Sequence, residues 1–245
     1  MIYIRLDKFL VNQGFGSRKE VQKLIKAGIV YVNDVPVEDP SFHIDPNNDV
    51  VEIEGQEVEY KESYYFMLNK PKGYITATYD ENYPTVMDLF SAEPIVNKLF
   101  PIGRLDIDTE GLLIITSDGV LAHRLSHPKW NVEKEYFVIV EGDVSDIDFS
   151  KYEKEGIYLK KDKYKTKPFK VKVLKTSFEE SELLITITEG KYHIIKKIMS
   201  ALDHEVKYLK RVRIGPLTLD EDLDVGEYRE LTKEEIELLK RYVRM

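Results

Sequence analysis

The sequence predicts an α+β protein built from a small N-terminal α/β unit, residues 1–60, and a larger unit, residues 64–245. A polar segment, EYKES at residues 59–63, separates a helix-rich beginning from a strand-rich remainder. The candidate strands of the remainder are not separated by the regular helices that a doubly wound parallel sheet needs. We therefore expect a mixed, mostly antiparallel sheet with a few flanking helices in the larger unit.

Two short amphipathic helices open the N-terminal unit. The first covers residues 4–13 and keeps its apolar side chains on one face. The second begins at a capping box, SRKE at residues 17–20, and ends at Gly28, a residue that suits the left-handed end of a helix. A hairpin over residues 29–37 and a short strand over residues 49–53 complete the unit.

Both helices carry cations on the face that is not apolar. These cations are Arg5, Lys8, Arg18, Lys19, Lys23 and Lys26. A one-sided basic face neutralises nucleic-acid phosphate, although solvation alone explains most surface lysines. The net charge of −8 does not argue against such a partner, because local fields govern docking and the mean charge does not.

Apolar runs of strand length and three helical patterns organise the larger unit. The expected strands are residues 65–68, 74–78, 112–116, 136–140, 169–174 and 183–188. The expected helices are residues 121–126, 192–202 and 233–242, the last of which begins at a second capping box, Thr232 with Glu235.

The composition excludes several kinds of site. Cysteine is absent, so the chain has no disulfide, no thiolate nucleophile and no cysteine-based metal site. The five histidines include no HExxH motif of the kind that binds zinc, and we expect neither a metal nor another cofactor. Early charges at Arg5, Asp7 and Lys8 do not fit a signal peptide, and the apolar runs are too short to span a membrane. These features predict a cytoplasmic protein.

The most informative segment is GRLDIDTEGLL, residues 103–113. It places Asp106 close to Arg104 in a turn, and an apolar strand follows at once. A carboxylate held between a cation and a core strand stays rigid and ionised, as a nucleophile or a general base must. The alternative is a tight turn in which the aspartate only caps local backbone amides.

Three further strings carry candidate functional residues: NKPKGY at residues 69–74, KEYFV at residues 134–138 and EGKYHIIKKIM at residues 189–199. Lys70 in the first string either neutralises a phosphate or is a solvated turn lysine. Tyr136 in the second offers a ring for stacking and a hydroxyl that can relay a proton.

Together with the basic helices, these strings resemble the RsuA-type pseudouridine synthases, which carry an N-terminal S4 RNA-binding domain. The resemblance covers essentially the whole chain. It implies an S4-like RNA-binding domain over residues 1–60 and a pseudouridine synthase catalytic domain over residues 64–245. It also implies that a monomeric enzyme isomerises a uridine of ribosomal RNA without a cofactor. The branch that the chain resembles most acts on 16S rRNA.

The resemblance assigns roles to individual residues. It implies that Asp106 is the catalytic carboxylate, that Lys196 is its charge partner and that Tyr136 is the platform for the base. Arg104 would fill the space that a flipped nucleotide leaves in the RNA. The remaining expected RNA contacts, besides the N-terminal cations, are Lys70 and Lys197.

Two positions depart from the family pattern. Ile194 stands where glutamine is usual, which removes an amide hydrogen bond near the site. Lys197 stands where arginine is usual, which loses the bidentate geometry for phosphate. Neither change removes the pair of Asp106 and a cation.

Three alternatives remain open from the sequence. A synthase that modifies 23S rRNA would share most of these motifs. A non-catalytic rRNA-binding or ribosome-assembly protein would leave Asp106 structural, yet Asp106, Tyr136 and Lys196 are all intact. A glycoside hydrolase would need two carboxylates that flank the bond, and Asp108 is too close in sequence to be the second.

Overall fold

Residues 3–245 are described by a computed structural model, and they divide into two units. The first comprises residues up to 63 together with residues 90–99, and the second comprises residues 64–89 and 100–245. The Lys98 ammonium donates to the Val11 carbonyl oxygen at 2.6 Å and so ties the segment 90–99 to the first unit. The sequence has no periodic pattern that predicts the return of residues 90–99 to the first unit, because these residues form a loop and a single short 3-10 turn.

The N-terminal unit contains two helices, Leu6–Asn12 (α1) and Arg18–Lys26 (α2). Its strands are Ile4–Arg5 (β1), Val30–Val32 (β2), Val35–Pro36 (β3), His43–Ile44 (β4), Val51–Ile53 (β5) and Gln56–Glu57 (β6). Four of them form an antiparallel sheet in the order β3-β2-β5-β6, and β1 pairs with β4. Because β1 takes up residues 4 and 5, α1 is shorter than the helix expected over residues 4–13.

The predicted capping box at the start of α2 is confirmed. The Ser17 hydroxyl accepts from the Glu20 amide, and the Glu20 carboxylate accepts from the Ser17 amide at 2.7 Å. The apolar faces of both helices then meet over the sheet, where Phe9 and Ile25 are fully buried. The unit therefore has a hydrophobic core of its own.

A buried carboxylate holds the two arginines of this unit. Asp7 is fully buried and accepts from the Arg5 guanidinium at 2.9 and 3.0 Å, from Gln22 at 3.0 Å and from Arg18 at 3.4 Å. The hydrogen bond from Arg5, against the cost of burial, keeps the pKa of Asp7 well below its usual range. Arg5 and Arg18 therefore share a buried carboxylate while their side chains remain 40% and 66% exposed, and Lys8, on the same helix as Asp7, is also exposed.

The larger unit is built on a mixed sheet. Its strands are Tyr65–Lys70 (β7), Phe100–Pro101 (β8), Glu110–Thr116 (β9), Lys134–Glu141 (β10), Tyr158–Leu159 (β11), Tyr164–Lys165 (β12), Lys170–Thr176 (β13), Glu180–Ile187 (β14), Val206–Ile214 (β15), Leu217–Thr218 (β16) and Tyr228–Glu230 (β17). Nine of them form one sheet along the path β13-β14-β10-β15-β9-β7-β17, with β16 on β15 and β8 on β9. The pairing of β15 with β9 is parallel and the other pairings are antiparallel, which confirms the predicted sheet type.

Four helices accompany this sheet: Gly119–Ser126 (α3), Tyr152–Glu155 (α4), Ile194–Ala201 (α5) and Lys233–Tyr242 (α6). Short 3-10 turns cover Val86–Phe90, Val96–Lys98, Pro128–Trp130 and Phe149–Lys151. Leu121 and Leu125 of α3 share a core cluster with Leu239 of α6 and with Met67 and Ile114 of the sheet. Among residues 3–245, no helix is long and apolar enough to cross a membrane.

One predicted strand is absent from the structure, and one strand of the structure was not predicted. Residues 74–78 form no strand, since they contribute only a single bridge between Ile75 and Thr85. Residues 206–214, for which no strand was predicted, form the nine-residue β15 in the middle of the sheet. Their lysines and arginines alternate with apolar residues, and Arg211 is buried there against the usual preference of a charged side chain.

The parallel seam between β9 and β15 requires a glycine. Gly111 faces Arg211 across this seam and has a φ of +104°. A Cβ atom at residue 111 would lie 2.2 Å from the Arg211 carbonyl oxygen and 2.7 Å from its amide nitrogen. The Arg211 guanidinium continues under β9 and donates to the Leu112 carbonyl oxygen at 2.8 Å.

Candidate active site

Lys70, at the end of β7, holds the loop of residues 103–109 that precedes β9. The Lys70 ammonium donates to the carbonyl oxygens of Pro71 at 3.0 Å, Asp106 at 3.1 Å and Thr109 at 2.9 Å. The Thr109 amide closes the turn by donating to the Asp106 carbonyl oxygen at 3.0 Å. These bonds fix the backbone of Asp106, so its side chain projects from a rigid support.

A histidine and a lysine of one segment face the Asp106 carboxylate. His193 Nε2 lies 3.4 Å and Lys196 Nζ 3.6 Å from Asp106 Oδ2, while the Asp106 side chain remains 28% exposed. Lys196 also donates to both oxygens of Asp108, at 2.7 and 2.8 Å. Partial burial disfavours the charge of Asp108, but the hydrogen bond and the positive charge of Lys196, together with smaller local contributions, outweigh it and lower the pKa of Asp108. Lys196 thus bridges the two carboxylates and does not serve Asp106 alone.

Asp106, Tyr136 and Lys196 line one cavity of about 220 Å³, together with Arg104 and His193. Tyr136 comes from β10 and is 8% exposed, so its ring forms part of the cavity wall. The cavity has the volume of about seven water molecules, enough for one flat ring with its substituents. Three residues that are distant in sequence therefore meet where a single base can enter.

No role was predicted for His193 from the sequence, although it lies within the string EGKYHIIKKIM, residues 189–199. His193 is the residue before α5 and has left-handed backbone angles, with φ +54° and ψ +29°. Such a conformation is uncommon outside glycine and clusters at functional sites. The spacing of His193 and Lys196, three residues apart at the start of a predicted helix, is the signal that could have found the pair.

Comparison with known proteins identifies the family to which the chain belongs. The family model described as RNA pseudouridylate synthase matches residues 64–201, and the S4 domain model matches residues 4–50. The chain belongs to the RNA pseudouridylate synthase family. It is therefore an isomerase that acts on RNA, as the sequence predicted.

Relatives of the synthase match it over nearly its whole length. The ribosomal small subunit pseudouridine synthase A of Escherichia coli (strain K12) is 40% identical, over 95% of this chain and 98% of that protein. YtzG of Bacillus subtilis (strain 168), named an uncharacterized RNA pseudouridine synthase, is 46% identical over 96% of this chain and 98% of that protein. A crystal structure of a pseudouridylate synthase matches with a TM-score of 0.67 and 38% identity, covering 96% of this chain and 99% of that chain.

Two more cations lie close to the seam of the sheet, Arg211, which is buried, and Lys134, which is half-buried. Arg211 is 2% exposed, and its bond to the β9 backbone gives it a structural role. Lys134 donates to the Val132 carbonyl oxygen at 3.1 Å. Burial, and then the like charge of Arg211, lowers the pKa of Lys134 to about 8.

The expected RNA contacts fall into three groups in the synthase. Lys8, Lys19, Lys23 and Lys26 are exposed on the N-terminal unit, and Arg104 is exposed at the cavity. Lys197 is half-buried, forms an ion pair with Asp162 and lies 5.8 Å from the centre of the Tyr192 ring. The expectation for Lys70 was wrong, because it is fully buried and its three donors are all bound to backbone carbonyls.

Substitution Lys70→Met should lower the kcat of the synthase without lowering its affinity for RNA. Burial already lowers the pKa of Lys70 to about 8, and methionine fills the space but leaves three carbonyl oxygens without their donor. We expect a loss of about 1–3 kcal/mol in the free energy of unfolding and a fall of at least about tenfold in kcat. Thermal unfolding and turnover assays measure the two effects.

The matched control is Lys72→Met, which removes an exposed lysine two residues away. It should leave both the free energy of unfolding and kcat close to those of the unchanged protein. A Lys70→Met variant that lost RNA affinity and kept its kcat would show that Lys70 contacts RNA and does not support the loop.

Proposed function

We propose that this synthase converts one uridine of small-subunit (16S) ribosomal RNA into pseudouridine, with Asp106 as its catalytic carboxylate. The observation that carries the assignment of residues is the single cavity shared by Asp106, Tyr136 and Lys196. The choice of RNA is supported by the relatives named ribosomal small subunit pseudouridine synthase A, which match over 95% of the chain.

The reaction requires that the target base leaves its stack and enters the cavity, at a cost of roughly a few kcal/mol. The bond between N1 of uracil and C1′ of the ribose then breaks, the base turns, and C5 bonds to C1′. The C5 proton is released to a base, and N1 acquires one. The balance involves no redox change.

Each residue of the cavity has a part in this sequence. The Asp106 carboxylate lies 3.4 Å from His193 Nε2 and 3.6 Å from Lys196 Nζ, and it acts either as the nucleophile at C1′ or as the base that takes the C5 proton. Tyr136 provides a wall against which the uracil ring stacks. Arg104 is exposed at the mouth and occupies the gap that the flipped nucleotide leaves.

The N-terminal unit supplies affinity in this proposal. Residues 1–60 act as the RNA-binding domain through Lys8, Lys19, Lys23 and Lys26, which are exposed and available to phosphates. Residues 64–245 act as the catalytic domain. The protein works as a monomer in the cytoplasm, where ribosomal RNA is available to it.

The deciding experiment compares pseudouridines in ribosomal RNA from cells with and without this gene. We expect one 16S site to disappear and to return when the purified protein is added to a 16S transcript or to an assembly intermediate. Loss of a 23S site would show instead that the protein modifies 23S rRNA, as sister enzymes of the family do. Unchanged pseudouridine at every position would make the protein a non-catalytic rRNA-binding factor.

A further inference from the structure

A second groove adjoins the Asp106 cavity and has no part in the chemistry described so far. It has a volume of about 620 Å³ and lies between the turn that joins β11 to β12 and the helix α5. His193 and Lys196 line both the groove and the Asp106 cavity, so the two spaces are adjacent. A strand of RNA whose uridine enters the cavity would have its neighbouring nucleotides at this groove.

The charge of the groove is positive. Lys196 and Lys197 are already held by Asp108 and Asp162, and Asp203 is a further carboxylate at the wall. Lys160 and Lys161 are exposed, and within residues 3–245 no ion pair engages them. Two free ammonium groups beside a partly neutralised wall provide sites for phosphate groups.

The segment that carries these lysines stands out in an acidic chain. Residues 160–167 contain five lysines and one acidic residue, whereas the whole chain has a net charge of −8. Solvation explains a single exposed lysine, but it does not explain a local excess of cations next to a cavity that receives an RNA base. The excess lies on the catalytic unit and is separate from the cations of α1 and α2.

An exposed aromatic ring completes the groove. Tyr158 is 55% exposed and lines the groove, while the next residue, Leu159, is buried between the hairpin and α5. The alternation of a strand therefore anchors one side chain and presents the other. An exposed tyrosine beside two free lysines is the combination that binds single-stranded nucleic acid by stacking and phosphate contact.

We propose that this groove binds the RNA strand that flanks the target uridine. Lys160 and Lys161 contact its phosphates, and Tyr158 stacks on a neighbouring base. The proposal rests on the proposed function, because it places the strand relative to a uridine in the Asp106 cavity. It adds a second RNA-binding surface, on the catalytic unit, to that of the N-terminal unit.

The test uses the full-length protein and a 16S rRNA transcript labelled with tritium at C5 of uridine. Tritium release measures turnover, and filter binding between 50 and 200 mM KCl measures affinity. The variant Lys160→Gln/Lys161→Gln should make the plot of log affinity against log salt less steep by about 1.4, because each phosphate contact on a single strand contributes about 0.7. At about 150 mM salt its KM should rise roughly tenfold or more, with the loss in KM and not in kcat.

The matched control is Lys172→Gln/Lys175→Gln, which removes the same charge from exposed residues of β13 outside the groove. Its salt dependence and KM should equal those of the unchanged protein. Tyr158→Ala should weaken RNA binding about tenfold, and Tyr158→Phe, which keeps the ring, should restore it. Thermal unfolding of each variant shows that the fold is intact.

The outcomes separate the groove from the proposed function. If the groove variants bind with an unchanged salt slope and Tyr158→Ala binds normally, the groove proposal fails even when the unchanged protein modifies the transcript. If the control pair loses as much as the groove pair, the effect is general charge, and the proposal also fails. If the unchanged protein releases no tritium, the proposed function fails, and the binding measurements still decide whether the groove holds RNA.

Discussion

Substitution Asp106→Asn should abolish pseudouridine formation, lowering kcat by at least about 10³-fold. Asparagine keeps the shape of the side chain and an oxygen that can accept a hydrogen bond from His193 or Lys196. It is neutral, however, so it can neither attack the ribose nor accept a proton. Because the Asp106 side chain is partly exposed and its backbone is held by Lys70, the fold should be unaffected. Tritium release in a single turnover measures the loss, and filter binding should show an unchanged affinity for RNA.

Asp108→Asn is the matched control for this substitution. Asp108 lies two residues away and shares Lys196, but it is not part of the cavity that contains Tyr136. Its loss leaves Lys196 within 3.6 Å of Asp106, so we expect an effect on kcat of less than about tenfold. If Asp108→Asn were inactive while Asp106→Asn kept its turnover, the catalytic carboxylate would be Asp108.

Substitution Gly111→Ala should have the largest effect on stability, a loss of more than about 4 kcal/mol or a failure of the larger unit to fold. The new Cβ would lie 2.2 Å from a backbone oxygen of β15, and neither strand can move without breaking the seam. The free energy of unfolding, or the yield of folded protein where the variant does not refold, measures the effect.

Gly226→Ala separates the clash from the strain of the backbone. Gly226 also has a positive φ, +91°, but nothing lies within 4 Å of an added Cβ there. We expect it to cost only the strain of a left-handed alanine, about 1–2 kcal/mol. Equal losses at the two positions would mean that the backbone angle, and not the close approach of Arg211, explains the requirement for glycine.

The parts of the fold that the sequence predicted well depend on local signals. Both capping boxes, at Ser17 and Thr232, lie where they were predicted, because four consecutive residues define each of them. The sheet type followed from the spacing of apolar runs. The convergence of Asp106, Tyr136 and Lys196 was predicted only through the resemblance to a family, since spacing alone does not bring residues 106, 136 and 196 together.

The parts that were missed depend on contacts between distant segments. Lys70 looks like a surface lysine until the loop of Asp106 covers it. His193 acquires its position from a left-handed backbone angle at the start of α5. The sharing of Lys196 between Asp106 and Asp108 depends on side-chain geometry that no motif encodes.

The parallel seam joins residues that are a hundred positions apart in the chain, Gly111 and Arg211. Contacts of such long range form late, since the intervening chain must first be made and ordered. A nascent chain that has emerged from the ribosome only as far as Asp106 contains neither Lys196 nor β15, which are needed to complete the cavity. The cavity that contains Asp106 is therefore complete only after β15, which supplies Leu209 to its wall, has been synthesised.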